Sequence, residues 1–331
     1  MTKSLYKYKE FKFDKDGSIE SSSLDYVIKP IQTSHFYLPT RNALNDPTEG
    51  VFRNALNSEI HSYLQGVYGI GERHELIGNI YDSAKDITQG LDTSGIFSLT
   101  GNHTDELMWA HYADSHKGIV IEYDLDLLTR FVPKNHLHIF DVTYNENPPH
   151  LGMRNIPSRN VMQVMFGYKS PRWYYEEECR IVIDNIHGQM PHDYRAVKSI
   201  TFGYRFPKDK RDGVIELVKG RVKQFYEVIL DENSYNFRRV LYKRFKSEAT
   251  ESKVDVDWTY HLSGFSPDKR SALIDNIEGI LKLDPHYSEL TLAEKSTVVS
   301  GKVAVQYEVS HKSMDIQISA KYHKVMVDMA I

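Results

Sequence analysis

The sequence predicts an α+β protein with a mixed or antiparallel central sheet, flanking helices and a small C-terminal α+β domain. Three observations support this fold class. Short segments that alternate apolar and polar residues, or that are rich in β-branched residues, recur along the chain and are typical of strands. Segments with helical apolar spacing lie between them. Hydrophobic residues make up 40% and charged residues 26% of the 331 residues, as in ordinary globular proteins.

The predicted strands follow one another through the first 230 residues. The first covers residues 5–9, where aromatic and basic side chains alternate at the period of a strand. The second covers residues 35–38 and ends before Pro39, because proline cannot donate a hydrogen bond to a neighbouring strand. Further strands are predicted at 95–99, 119–123, 139–144, 178–183, 197–202 and 225–230.

Three helices are predicted between these strands. The first follows the capping segment Asn45-Asp46-Pro47 and runs to about residue 65, with an apolar stripe. The second begins at the cap Thr104-Asp105 and continues through His116, until Lys117-Gly118 ends it. The third spans residues 211–222. Each lies between two predicted strands, as an α+β domain requires.

The chain is predicted to contain two domains, residues 1–250 and 251–331. The segment 246–253 is polar and contains no apolar anchor, which is typical of a boundary. Beyond it we expect a small α+β domain that serves docking or homo-oligomerisation. Its predicted helices are 267–281 and 290–298, and its predicted strands are 303–309, 316–320 and 324–329, with a turn at 311–313.

Charge and cysteine content narrow the classes of function. The formal net charge is −4, so nucleic acid or an anionic membrane would need a local basic patch. The single cysteine, Cys179, cannot form an intramolecular disulfide, which favours a reducing cytoplasmic location. The sequence contains neither a signal-peptide-like apolar run at its start nor eighteen consecutive apolar residues, so we expect no membrane association.

An acidic cluster, Glu176-Glu177-Glu178, precedes one of the predicted strands. In an extended strand Glu176, Glu178 and Arg180 project from one face, because side chains alternate between the two faces. Carboxylates two residues apart repel one another when buried, so we expect one of them to have a raised pKa or to be held by Arg180 or by a ligand hydroxyl. The alternative is an exposed strand entry in which Arg180 forms a surface ion pair worth about 0–1 kcal/mol.

A second cluster lies on the predicted helix after Thr104. His111 and Tyr112 are neighbours and Met108 precedes them by about one turn, a spacing that can line a pocket. The alternative is a helix whose aromatic side chains pack on the sheet, with His111 a hydrogen-bonded core residue. His111 and His116 are five residues apart and the chain has no His-Glu-x-x-His motif, so the sequence favours no metal site.

A basic and aromatic segment lies near the end of the first domain. Cationic residues of this type beside aromatic rings can bind single-stranded nucleic acid through phosphates and stacking. The alternative is a solvated helix face. The candidate nucleic-acid contacts are Arg238, Arg239, Lys243 and Arg244.

Four segments carry a family resemblance: LYKY at residues 5–8, NDPTE at 45–49, MWAHYADSHKG at 108–118 and KSPRWYYEEECR at 169–180. Together they resemble a bacterial family catalogued as a domain of unknown function, DUF2971, some of whose members resemble abortive-infection phage-defence proteins. The resemblance extends to about residue 245. Thr48 departs from the family pattern, which usually has an aromatic residue at this position.

The chain also bears a looser resemblance to mono-ADP-ribosyltransferases. These enzymes carry a basic or histidine position on a first strand, an aromatic or serine on a second, and Glu-x-Glu or Gln-x-Glu on a late strand. Lys7, Tyr37 and residues 176–178 follow in that order, although the first strand lacks a His-Gly-Thr motif or an arginine. The resemblance implies NAD as substrate, with Glu178 holding the nicotinamide-ribose hydroxyl to stabilise an oxocarbenium-like centre and Glu176 orienting the acceptor.

These resemblances and the clusters define one set of site residues. The candidate catalytic residues are Glu178, Glu176 and His111. The candidate NAD-binding residues are Lys7, Tyr8, Tyr37, Asn45, Asp46, Trp109, Tyr112 and Arg180.

The leading hypothesis is therefore an NAD-dependent ADP-ribosyltransferase-like effector of a bacterial defence or conflict system, with a protein or nucleic acid as acceptor. An alternative is a non-catalytic sensor or nucleic-acid-binding module of a phage-defence system. A third hypothesis is a metal-dependent nuclease. Its acidic residues would be Asp46, Glu49, Glu122 and Glu178.

Overall fold

A computed structural model confirms the α+β fold class. The chain divides into two compact units, Met1–Phe245 and Lys246–Ile331. In the described part of the chain, no helix is both long and apolar enough to span a bilayer. The structure describes residues 3–68, 92–155, 160–246, 254–282, 284, 287–297, 302–309 and 322–328.

The described strands of the first unit are β1 Ser4–Lys9, β2 His35–Leu38, β3 Arg53–Asn54, β4 Gly95–Thr100, β5 Ile119–Asp124, β6 Leu137–Asp141, β7 Thr143–Tyr144, β8 His150–Leu151, β9 Tyr168–Lys169, β10 Glu178–Ile183, β11 Gly188–Pro191, β12 Val197–Phe202, β13 Gln224–Leu230 and β14 Phe237–Arg244. Eight of them form a mixed sheet in the order β14-β13-β12-β5-β1-β4-β10-β6. In this sheet β12 and β13 are parallel neighbours, and the other pairs are antiparallel.

Helices cover both faces of the sheet, so most of its strands have apolar side chains on both faces. The larger core lies under the π-helical turn Leu24–Ile28 and the helices Lys29–Thr33, Leu125–Leu128 and Arg211–Val218, and smaller clusters lie under the helices Glu106–Tyr112 and Val161–Phe166. Burial of these side chains from water is the main stabilising contribution to the unit. The helices are α1 Ser21–Ser23, α2 Lys29–Thr33, α3 Leu56–Tyr68, α4 Glu106–Tyr112, α5 Leu125–Leu128, α6 Val161–Phe166 and α7 Arg211–Val218, and a π-helical turn Leu24–Ile28 joins the first two.

The sheet opens between β1 and β4. On one side β1 pairs with β5 along its whole length, from Ser4 opposite Asp124 to Lys9 opposite Ile119. On the other side, within the described residues, β1 is in register with β4 only where Tyr6 lies opposite Thr100. The two strands separate beyond that pair, so the centre of the sheet contains a gap that side chains or a ligand can enter.

The first helix begins later than the sequence predicts. The Asp46 carboxylate accepts hydrogen bonds from the backbone N–H and the hydroxyl of Thr48, at 2.8 and 2.6 Å, and so closes a turn instead of capping a helix. The side chain of Asn54 accepts from the backbone N–H of Leu56, where α3 starts. The predicted helix start after Pro47 is wrong because an Asx turn and a helix cap use the same residue types.

The second helix ends earlier than predicted. After Tyr112 the backbone leaves the helix, and Asp114, Ser115 and His116 all have positive φ angles, of 45°, 53° and 72°. A helix through His116 is therefore wrong. Such a run of left-handed residues is costly for non-glycine side chains, so tertiary contacts must hold this loop in place.

The described residues of the second unit form two helices, α8 Trp258–His261 and α9 Pro267–Lys282, and an antiparallel sheet of β15 Tyr287–Lys295, β16 Lys302–Val309 and β17 Tyr322–Asp328. The predicted helix at 290–298 is wrong. Leu290 and Ala293 are both buried at a helix-like spacing of three, because the strand register shifts between Leu290 and Leu292 and reverses the alternation. The predicted strand 316–320 and the turn 311–313 lie outside the described residues.

Candidate functional site

A cleft of about 420 Å³ lies where β1 and β4 separate. Its walls come from both strands, from the helical residues 22–27, from the loop after β2, from α4, from Lys169 of β9, and from the segment that leads into β10. These segments are distant in the chain and meet only because β1 lies at the centre of the sheet. Eight of the predicted site residues line the cleft together: Lys7, Tyr8, Asn45, Asp46, His111, Tyr112, Glu176 and Glu178.

Three predicted site residues do not line the cleft. Tyr37 is 57% exposed on β2, in a separate two-stranded sheet with β11. Trp109 is fully buried, where its ring lies edge-on to Tyr8 at 5.1 Å and its indole N–H donates to the His103 carbonyl. Arg180 is also fully buried, in contact with carboxylates behind the cleft wall.

The acidic cluster has a different backbone from the one predicted. Residues Pro171–Glu176 form a 3₁₀ helix, Glu177 has a left-handed φ of 41°, and β10 begins only at Glu178. Glu176 is therefore not on the strand. Glu178 and Arg180 do share a strand face, because they are two residues apart in β10.

Arg180 binds two acidic side chains and a backbone carbonyl. Its Nε and one terminal nitrogen donate to the two oxygens of Glu178 at 2.7 and 2.9 Å, and that terminal nitrogen also donates to Glu49 at 2.5 Å. The other terminal nitrogen donates to the carbonyl of Phe166. Burial by itself would raise the pKa of Glu178, but the charge and hydrogen bonds of Arg180 lower it to about 2. Both oxygens of the Glu178 carboxylate thus have a hydrogen-bond donor from Arg180.

Glu176 has fewer donors and opens onto the cleft. One of its oxygens accepts from the Tyr112 hydroxyl at 2.5 Å, and the other accepts from the Lys169 ammonium at 2.6 Å. Lys169 also donates to Glu178 at 3.3 Å. Burial raises the pKa of Glu176, and the Lys169 charge opposes that shift only in part. A carboxylate with a raised pKa in a cleft is a candidate for ligand binding or proton transfer.

Two further carboxylates line the cleft, Asp46 and Glu49. Asp46 Oδ2 and Glu49 Oε2 are buried, and neither has a hydrogen-bond partner among the residues that the structure describes. Buried polar atoms are normally satisfied, so these oxygens identify a place where a ligand could supply N–H or O–H donors.

His111 lies at the rim. Its Nδ1 is 2.9 Å from the Tyr175 hydroxyl, and its ring contacts the Tyr175 ring edge-on. The histidine is exposed, so its second ring nitrogen is open to solvent and to any acceptor that approaches the cleft.

Two lysines of β1, Lys7 and Lys9, add positive charge to the cleft, which Lys12 and Lys169 also line. The Lys7 ammonium donates to the Ser98 carbonyl of β4 at 2.7 Å and lies 5.0 Å above the Phe97 ring. Burial and the nearby charge of Lys9 lower the pKa of Lys7 to about 7. Burial also lowers the pKa of Lys9.

Sequence reasoning missed Lys9 and Lys169 as members of the site. Lys169 belongs to the KSPRW segment, but nothing in its spacing relates it to Glu176. It reaches the acids because β9 pairs with β7, where Lys169 lies opposite Tyr144, and the Tyr144 hydroxyl accepts from the Glu178 backbone N–H. The sequence contains no local signal for such a long-range pairing.

The predicted nucleic-acid contacts lie on β14 at the edge of the sheet, not on a helix face. Arg238 and Lys243 form ion pairs with Asp231 and Asp212, at 3.4 and 3.1 Å. Arg239 is largely buried, donates to Glu122 at 2.8 Å and stacks 3.7 Å from the Tyr226 ring centroid. These three cations are thus partly neutralised by the protein itself.

The nuclease hypothesis requires four acids to meet at a metal ion, and they do not. Asp46, Glu49 and Glu178 line the cleft, whereas Glu122 lies on the other side of β1 and binds Arg239 and Ser199. Across the described ranges, no group of three or more histidine, cysteine or acidic side chains could hold a metal ion.

Comparison with known proteins relates part of this site to a family. Residues 108–181 match the model of a family described as a protein of unknown function, DUF2971. No curated protein and no solved structure matches the chain. The matched stretch runs from α4 to β10, so the segment that supplies His111, Tyr112, Lys169, Glu176 and Glu178 is similar to a domain of unknown function.

Proposed function

We propose that the cleft binds NAD and that the protein is an ADP-ribosyltransferase-like effector of a bacterial defence or conflict system. One observation carries the proposal: side chains from three distant segments, Lys7–Tyr8, His111–Tyr112 and Glu176–Glu178, line a single cleft that opens through the sheet. NAD carries ribose hydroxyls, a diphosphate and two rings. The cleft offers carboxylates, lysines and tyrosines that suit these groups.

Glu176 is a better candidate than Glu178 for the carboxylate that binds the nicotinamide-ribose. Both oxygens of Glu178 are taken by Arg180, and one also by Lys169. Glu176 has one donor on each oxygen, so each can accept a second hydrogen bond, from a ribose hydroxyl. In this proposal Glu178 positions Lys169, and Lys169 orients Glu176.

The proposed reaction breaks the bond between the ribose carbon and the nicotinamide nitrogen. Nicotinamide leaves with the bonding electron pair, and the oxocarbenium-like ribose is stabilised by the Glu176 carboxylate through the hydroxyl. An acceptor oxygen or nitrogen, or water, then forms the new bond to the ribose carbon and loses its proton. His111 at the rim is placed to receive that proton.

The test is NAD consumption by the purified full-length protein, with nicotinamide release followed by chromatography. Because Glu176→Gln keeps the shape but removes the negative charge, we expect it to lower the rate about 100-fold or more. The matched control is Glu216→Gln, on the surface and paired with Lys219, which should have no effect. The proposal fails if the folded wild type neither binds nor consumes NAD with lysate proteins or nucleic acid supplied as acceptors.

Both oxygens of Glu178 already accept hydrogen bonds from Arg180 or Lys169. This observation favours a second candidate function, a sensor that binds the nucleotide without turnover. A carboxylate held by Arg180 and Lys169 acts as a structural brace. Calorimetry separates the two functions, because saturable NAD binding with no nicotinamide release under every acceptor condition would support the sensor.

A further inference from the structure

We infer that Lys7 and Lys9 form a diphosphate subsite on the face of the sheet opposite the acids. The inference rests on the proposed function and deepens it. It assigns an orientation to the ligand, which would cross the sheet through the opening between β1 and β4.

The strand register places the two kinds of charge on opposite faces. Tyr6 lies opposite Thr100, and Thr100 lies opposite Glu178, so these three side chains share one face. Lys7 and Lys9 alternate with Tyr6 and therefore project from the other face. Residues from both faces line the cleft, so it connects the two faces; they are Tyr6, Thr100, Glu178, Lys7 and Lys9.

The two lysines lack the partners that cations in protein interiors normally have. Within the described part of the chain, neither Lys7 nor Lys9 lies at ion-pair distance from a carboxylate, whereas Lys12 in the same wall pairs with Glu10 at 2.6 Å. Lys7 directs one N–H to the Ser98 carbonyl, which leaves two N–H donors. A partly desolvated ammonium without a counterion is unfavourable, and a phosphate would supply the missing charge.

An elongated anion can bind the lysines on one face of the sheet and the carboxylates on the other at the same time. A diphosphate seated on Lys7 and Lys9 leaves the attached ribose to extend through the opening toward Glu176, where hydroxyl donors are needed. A ligand in the reverse direction would place its phosphates against carboxylates. Repulsion between like charges disfavours that orientation.

Protonation of Lys7 links this binding to pH. Burial and the charge of Lys9 lower the Lys7 pKa to about 7 in the free protein. A bound anion raises it, so above that pH binding must take up a proton, and the affinity falls as the pH rises. Below about pH 7 the lysine is already charged and the affinity is constant. The other titratable residues that line the cleft are Tyr6, Tyr8, Glu10, Lys12, Tyr26, Asp46, Glu49, His111, Tyr112, Lys169, Glu176 and Glu178.

Calorimetry with ADP-ribose and the full chain tests the inference, because its diphosphate is a diester whose charge does not change near neutral pH. Titrations at about pH 7.5 in two buffers of different ionisation enthalpy count the protons taken up. We expect net proton uptake, and at least about tenfold weaker binding for Lys7→Gln and for Lys9→Gln. Lys7→Arg should keep the affinity and lose most of the uptake, because arginine does not titrate in this range.

Lys219→Gln is the control, since this lysine is exposed and lies outside the cleft. The inference is overturned if ADP-ribose does not bind, if adenosine binds as tightly as ADP-ribose, or if both glutamine variants, shown folded by thermal melting, bind like the wild type. ADP-ribose binding that depends on the lysines, without NAD consumption, supports the subsite and rejects the enzyme. NAD consumption unaffected by both variants supports the enzyme and rejects the subsite.

Discussion

At the scale of single residues, Arg180 illustrates how a charged group is retained in a protein interior. Its side chain is fully buried, yet each of its nitrogens donates to a carboxylate or to a carbonyl. Desolvation of such a charge costs free energy that only good geometry offsets. The arginine is therefore better understood as the brace of Glu49 and Glu178 than as a ligand contact.

Replacement of Arg180 tests this structural role. Arg180→Met leaves Glu49 and Glu178 buried without their main partner, and we expect it to lower the free energy of unfolding by about 3–5 kcal/mol. Urea-induced unfolding measures the change. Arg238→Met, which removes an exposed arginine paired with Asp231, should cost about 0–1 kcal/mol. Equal effects of the two substitutions would contradict the assigned role.

Lys7 should instead reduce stability at neutral pH. The lysine holds its proton to about pH 10.5 in the unfolded chain but only to about pH 7 in the folded protein. Between these values the unfolded chain binds more protons, so the free energy of unfolding increases as the pH rises through this window, and the full penalty is present below it.

Lys7→Met removes that penalty. We expect the variant to be more stable than the wild type by about 1–3 kcal/mol at neutral pH, with a difference that shrinks as the pH approaches the ordinary lysine value. Urea unfolding of both proteins at several pH values measures this. A difference that does not change with pH would show that the pKa of Lys7 is ordinary.

At the scale of elements, the loop between α4 and β5 is shaped by two close backbone approaches. A Cβ atom on Gly118 would lie 2.2 Å from the Lys9 carbonyl oxygen, and one on Gly203 would lie 2.2 Å from the His116 carbonyl oxygen. These contacts hold residues 113–117 against β1 and the end of β12. The glycine that closes the MWAHYADSHKG segment is thus required by packing.

Gly118→Ala should therefore disturb the wall of the cleft. Because the added methyl group meets backbone atoms that cannot rotate away, we expect a loss of stability of about 1–3 kcal/mol and weaker ligand binding. Thermal melting and calorimetry measure the two effects. Gly213→Ala, where the new methyl group meets nothing within 4 Å, should be neutral or stabilising. The packing argument fails if Gly118→Ala behaves like this control.

At the scale of the whole molecule, the cleft belongs entirely to the first unit. Every residue that lines it lies between Tyr6 and Glu178, and the unit boundary falls after Phe245. The second unit has its own buried side chains on α9 and on its three strands. A domain with its own core can fold independently.

A fragment of residues 1–246 should therefore fold and bind the same ligand as the full chain. We expect a cooperative thermal transition and a ligand affinity within about threefold of the intact protein, since no cleft residue is removed. Circular dichroism and calorimetry are the measurements. An unfolded fragment, or one that is folded but does not bind a ligand bound by the full chain, would show that the site depends on the second unit.

Periodicity and capping residues in the sequence determined the α+β class and many of the strands, because the side-chain spacing of an element reflects which of its faces is buried. The shared face of Glu178 and Arg180 was readable for the same reason. Local patterns failed where a turn and a cap use the same residues, as at Asp46, and where a register shift reverses the alternation, as after Leu290.

Only the tertiary structure decided where the strands separate and which distant groups meet there. The opening between β1 and β4, the approach of Lys169 to Glu176 and the burial of Arg180 all depend on pairings between segments far apart in the chain. The local spacing of apolar residues predicts on which face of a helix or strand a side chain lies. Which strand becomes its neighbour is set by the packing of the whole sheet. The sequence therefore identified Lys7, Glu176 and Glu178 as candidate site residues, but it identified neither Lys9 and Lys169 as members of the site nor the arrangement of these charges.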